Sequence, residues 1–168
     1  KPSSDARLFE VASFCILKYH YSNKSFEYRD EDGKIKNIKL KLYKTGRTNA
    51  NDGGIDFVLK PLGKFFQVTE TLDFKKYFLD FDKLNRVPIS FVIKIEETPQ
   101  QVLLKISQQS LGKIAEELHT IYLSLFEEII TNINLRQYLH SLLKNDKSKK
   151  ELLEDLETNF KVEYGHYD

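Results

Sequence analysis

The sequence predicts an α/β domain: a mixed central β-sheet flanked by helices, with a helical C-terminal part. Three observations predict it. Apolar residues recur at helical spacing over residues 5–21 and again beyond Pro99. They alternate with period two over Ile35 to Tyr43. They form a short, nearly unbroken apolar run over Val87 to Ile95, as expected of a central strand.

The elements follow in order. Ser4 or Asp5 caps a first helix, in which Leu8, Phe9, Ala12, Ile16 and Tyr19 share a side. A hairpin comes next: Phe26 and Tyr28, the turn-rich Arg29 to Gly33, then Ile35 to Tyr43 as one half-buried strand. Thr45 to Gly54 is a loop, rich in Gly, Asn and Asp. Ile55 to Lys60 and Phe65 to Thr71 are strands, antiparallel because only Pro61-Leu62-Gly63 and its neighbours join them. Residues 73–84 are a helix with Phe74, Tyr77, Phe78 and Phe81 on one side, leading to the central strand at 87–95. Everything after Pro99 reads as helix, with a break near Ser107–Gly112, a charged link over Asn145 to Lys150 and a last helix to Phe160. This organises the chain as an α/β core over 1–98 and a helical part over 99–168 packed on it, one domain overall.

Composition narrows the class. The 168 residues amount to about one domain. They are 40% hydrophobic and 30% charged, enough apolar content for a real core. No apolar run approaches the ~18 residues of a membrane span, and Lys1 to Asp5 is no signal peptide. The single Cys15 excludes an internal disulfide and a multi-cysteine zinc site, and points to a reducing, cytoplasmic setting. The chain has no methionine and begins with Lys1, so it reads as part of a longer polypeptide with a further domain upstream.

The net charge of +1 hides an asymmetry. Residues 1–94 carry 18 Lys and Arg against 12 Asp and Glu, whereas residues 95–168 carry 8 against 13. A basic part for an anionic partner is backed by an acidic one. Lys34, Lys36, Lys39, Lys41, Lys44 and Arg47 follow one another with no acid between Gly33 and Asn51, the clustering that phosphate neutralisation needs. Lysines of this kind also protect a solvated hairpin edge. Lys39, Lys41, Lys44, Arg47, Asn49 and Asn51 are the candidate DNA contacts. Arg47 and Asn49 are of the types that read guanine and adenine edges.

Chemistry concentrates in Asn51-Asp52-Gly53-Gly54-Ile55-Asp56 and Phe65-Phe66-Gln67-Val68-Thr69-Glu70. An acid opens one strand, and Gln67 and Thr69, two apart on the next, share a face amid apolar neighbours. Such groups are costly to bury unpartnered, and a divalent ion with a phosphate would partner them. The same residues are also good turn chemistry, with Gln67 bonded to a neighbouring loop. Elsewhere, His20, His119, His140 and His166 are scattered and read as structural or exposed. The sequence holds no Ser or Cys nucleophile pattern.

Gly53-Gly54-Ile55-Asp56, ten residues, then Gln67-Val68-Thr69 resembles the core of the PD-(D/E)XK nuclease superfamily, in the branch of Mrr-like and many type II restriction endonucleases. The segment Gly46 to Asp56 is similar to that of HaeII-like restriction enzymes. The resemblance spans residues 5–95 and implies a restriction-endonuclease-like sheet. It also implies Mg²⁺ held by Asp56, Gln67, the Val68 carbonyl and Glu10 from the first helix, with Asp52 adding charge. The family's lysine falls on Thr69, which cannot orient or activate water as an amine does. Lys60, Lys94 and Glu70 are the substitutes to consider.

The function this implies is Mg²⁺-dependent hydrolysis of double-stranded DNA by a type II restriction endonuclease. A palindromic site would favour a homodimer through the apolar stripe of residues 103–143. The alternatives are a non-catalytic DNA-binding or assembly module that keeps the fold, which Thr69 favours, and a structure-specific repair or resolvase nuclease.

Overall fold

A computed structural model describes residues 4–45 and 54–165. Helix α1 (Ser4–Ser22) leads into the hairpin β1 (Ser25–Arg29) and β2 (Ile35–Lys39). Strands β3 (Lys41–Lys44), β4 (Phe57–Lys60) and β5 (Lys64–Thr69) follow, then α2 (Phe74–Lys83) and β6 (Ile89–Ile93). The chain continues through α3 (Pro99–Ser110), α4 (Glu116–Ser124), β7 (Phe126–Thr131), α5 (Asn132–Leu143) and α6 (Asp146–Tyr164). The fold is mixed α/β. Strands β3-β4-β5-β6-β7 form one sheet in that order, and β1-β2 form a separate ribbon.

The first three strands of the sheet form an antiparallel meander. Strands β5, β6 and β7 run parallel, each pair joined by helical crossovers as parallel pairing requires. Helices cover both faces. On one side α1, α5 and α6 pack on Phe57, Leu59, Phe66, Val92 and Ile130. On the other, α2, α3 and α4 pack on Ile89, Phe91, Ile93 and Ile129. All five residues of β6 are buried, which is why its sequence is an apolar run rather than an alternation.

Three readings of the sequence need correction. The run from Ile35 to Tyr43 is not one strand. It breaks at Leu40, whose N–H turns to the Lys24 carbonyl at 3.0 Å. Ile35 and Ile38 lie on an exposed ribbon, whereas Leu40 and Leu42 are buried. Period two survives a change of pairing partner, so alternation alone does not reveal the break. The second correction lies beyond Pro99, where β7 interrupts the helices. Leu125, Ile129 and Ile133 fit helical spacing, but Ile129, Ile130 and Thr131 are buried consecutively between two helical layers. Consecutive β-branched residues with both faces covered suit a strand. The region 99–168 therefore completes the central sheet as well as covering it. The supposed link at Asn145 to Lys150 is the start of α6, where the Asn145 side chain caps the Ser148 N–H.

Candidate active site

The antiparallel ladder between β4 and β5 opens at Asp56. The Asp56 N–H still donates to the Phe66 carbonyl at 2.9 Å. The next donor of β5, the Val68 N–H, goes instead to the Asp56 carboxylate, at 2.7 Å from Oδ2. The side chain thus takes over a ladder position as the backbone turns away. Thr45, just past β3, holds the Asp56 carbonyl from the other side through its N–H at 3.0 Å. The turning point is Gly54, with φ +89°. A Cβ there would sit 3.0 Å from Gln67 Oε1 and 3.4 Å from Asp80 Oδ1. Both the backbone conformation and the close approach call for glycine.

Gln67 and Thr69 do share a face, but it is the face covered by α2. Both are buried, at 6% and 5% exposure. Thr69 Oγ1 lies 3.3 Å from the Thr71 N–H that donates to it, with Lys76 Nζ at 3.5 Å. Gln67 meets Asp80 of α2, which is 3% exposed. Burial raises the Asp80 carboxyl pKa, opposed by Lys83, whose Nζ lies 3.5 Å from Oδ1. Among the described residues, Gln67 Oε1 and Asp80 Oδ2 have no hydrogen-bond partner.

The expected constellation is therefore divided. Glu10 sits on α1, across the sheet from Gln67 and Thr69. Alternation fixes that Gln67 and Thr69 stay together; it does not fix which helix covers them. Lys60 is also separated from Asp56. Four residues of strand put it about 13 Å away, where its Nζ lies 5.0 Å from the Tyr43 ring centre.

On the α1 face the same end of the sheet carries a different set. Val68 packs on the α1 core, and Glu70 follows two residues on. Lys94, just past β6, donates its backbone N–H to the Thr69 carbonyl at 3.0 Å. Its Nζ reaches Glu70 Oε1 at 2.7 Å and lies 6.0 Å from the Phe9 ring centre of α1. The bond to Glu70, supported by Asp5, raises the Lys94 pKa. Asp5, Leu8, Phe9, Ala12 and Lys94 line a groove here, and Glu10 continues the same turn of α1. Next to it, past β6, Glu96 receives both Arg136 nitrogens, at 3.0 and 2.6 Å, and the Asn132 amide at 2.7 Å. Those donors pull the Glu96 carboxyl down to about 2.

Asp56, Glu70 and Lys94 thus lie at the carboxyl ends of β5 and β6, where ligands of open α/β sheets bind. Among the described residues no three His, Cys, Asp or Glu side chains come together as a metal cage. The donors are two separate carboxylates, Asp56 and Glu70, with the Val68 carbonyl between them in the chain. Asp80 and the Glu96–Arg136 pair went unnoticed in the sequence. Asp80 has a signal: it is the lone acid on the inward side of α2, among Phe74, Tyr77, Phe78 and Phe81.

Of the basic residues, Lys39 ends the exposed ribbon, whereas Lys41 and Lys44 belong to the edge strand β3 of the main sheet. Lys39 and Lys41 therefore do not share a strand. Lys44 Nζ lies 5.0 Å from the Phe14 ring centre. Arg47, Asn49, Asn51 and Asp52 lie outside the described residues, as does His166. His119 is buried, with Nε2 3.1 Å from the Ser107 carbonyl, and His140 is exposed. Among the described residues no helix is long and apolar enough to cross a membrane.

No family model, curated protein or solved structure matches the chain.

Proposed function

We propose that the chain is a Mg²⁺-dependent endodeoxyribonuclease with a restriction-endonuclease-like core. The observation that carries this reading is the placement of Asp56, at the opening between β4 and β5, at the same sheet end as the Glu70–Lys94 pair. Two carboxylates and a lysine are the groups that metal-assisted phosphodiester cleavage uses. Here Glu70 and Lys94 stand in for Gln67 and Thr69, which are turned to α2. The order helix, three-stranded meander, helix, parallel strand supports the same resemblance.

The donor set suits Mg²⁺, which binds through one or two carboxylates and completes its shell with water and substrate phosphate. Asp56, Glu70 and the Val68 carbonyl would hold it. When bound, the ion neutralises the phosphate and lowers the pKa of a coordinated water. Lys94 stays cationic and donates from Nζ to a phosphate oxygen, while Glu70 orients it. Lys41 and Lys44 on the edge strand hold the flanking DNA backbone by charge.

The test separates binding from cutting. Supercoiled plasmid and labelled duplex are incubated with the protein, in MgCl₂ and in EDTA. Discrete, Mg²⁺-dependent fragments support the nuclease reading. Duplex binding without cutting in either buffer points to the non-catalytic module, which the burial of Thr69 favours. Cleavage confined to branched DNA points to a repair or resolvase nuclease.

A further inference from the structure

We propose that Asp80 is a positioning residue for Asp56: with Gln67 it forms a buried seat under Gly54 that fixes where the Asp56 carboxylate meets β5. The inference rests on reading Asp56 as a carboxylate of the nuclease site.

Four observations lead there. The inward side of α2 is otherwise aromatic, so an apolar residue at 80 would pack without the desolvation cost of an acid. An acid kept at 3% exposure is a poor choice for stability alone. Second, the Gly54 α-carbon rests directly on this pair: the missing Cβ would lie 3.0 Å from Gln67 Oε1 and 3.4 Å from Asp80 Oδ1. Third, Asp56 follows Gly54 by two residues, and its carboxylate meets the N–H of Val68, the residue after Gln67, at 2.7 Å. Seat and carboxylate are thus joined through short, stiff backbone on both strands. Fourth, Gln67 Oε1 and Asp80 Oδ2 are both without a partner among the described residues. Gln67 Oε1 and Asp80 Oδ1 flank the same α-carbon, so residue 80 limits where the Gln67 side chain can sit, and that side chain limits how closely Gly54 can approach.

A structural role and a positioning role predict different things. Asp80→Leu removes the desolvation cost of a buried acid but gives up the Lys83 pair and a polar neighbour of Gln67, so it should still fold, with a melting temperature near that of the parent. The Gln67 side chain then has no polar neighbour at 80, so the Gly54 turn should shift. The Val68 amide proton, read by ¹⁵N NMR, should then move upfield as its bond to Asp56 lengthens. Mg²⁺-dependent cutting should fall about 100-fold, the effect of a misplacement on the order of 1 Å. Asp80→Asn keeps shape and polarity, and should restore both the Val68 signal and cutting. Gln67→Leu removes the other half of the seat without touching the backbone at Gly54, should give the same Val68 signature, and decides the matter if Asp80→Leu does not fold. An unchanged Val68 amide in the folded Leu variant, or equal losses in Asp80→Leu and Asp80→Asn, would overturn the proposal. If the parent protein cuts no DNA, the nuclease reading fails, while the Val68 signal still tests the seat.

Discussion

The Asp56 carboxylate accepts the Val68 backbone N–H at 2.7 Å, in place of the backbone carbonyl that a continued β4 would offer. One side chain thus closes a ladder and marks the point where two strands part. Asp56→Ala leaves a partly buried N–H unpaired and should cost about 1–2 kcal/mol by urea unfolding. Asp56→Asn keeps an acceptor oxygen and should cost less than about 1 kcal/mol. Equal losses for the two variants would show that the hydrogen bond does not hold the turn.

Lys94 and Glu70 make a different case. Their side chains are 39% and 30% exposed, so the pair adds little to stability, on the order of 0.5 kcal/mol. Lys94→Ala should therefore unfold within about 1 kcal/mol of the parent in urea. In the nuclease reading it should also cut DNA at least about 100-fold more slowly. A large stability loss would place Lys94 in the scaffold rather than the site.

His20 sets a pH dependence. Its ring stacks on Tyr138, with centroids 3.7 Å apart, and Nε2 accepts from Lys24 Nζ at 3.0 Å. Burial, then Lys24, pull its pKa from 6.5 down to about 4, against the nearby Glu128. Between those two values the unfolded chain binds the extra proton, so stability is full above pH 6.5 and is lost as the pH falls towards 4. The contribution is on the order of 2–3 kcal/mol. His20→Gln should flatten the stability curve over that window, as read by thermal unfolding at successive pH values. An unchanged slope would contradict the assignment.

Cys15 lies at 0% exposure in the α1 core. Burial, with Asp155 adding to it, pushes its thiol up to about 12, so little thiolate forms at neutral pH. Iodoacetamide should leave the native protein unmodified for hours and label it within minutes in urea, measured by intact mass. Rapid native labelling would show that α1 opens.

Much of this was legible in the sequence, for local reasons. The aromatic side of α2, the short turn at Pro61 to Gly63 and the apolar run of β6 each follow from neighbours in the chain, and all three stand in the fold. What was not legible depends on distant partners. Nothing near Leu40 says that the strand changes sheets there. Ile129 and Ile130 become a strand because β6 and two helical layers surround them. The site shows the same division. Gly54 and Asp56 were marked by turn chemistry. The face taken by Gln67 and Thr69 was settled by helix packing, which left Glu70 and Lys94 to occupy the α1 side.

The most direct test of the central claim is plasmid cleavage by the parent protein and by Asp56→Asn, side by side, in MgCl₂ and in EDTA. The account predicts cutting by the parent in Mg²⁺ alone. It also predicts a folded Asn variant that cuts at least about 1,000-fold more slowly, since the loss of one metal-ligating charge removes several kcal/mol from the transition state. Cutting by Asp56→Asn at the parent rate, or cutting by either protein in EDTA, would contradict it.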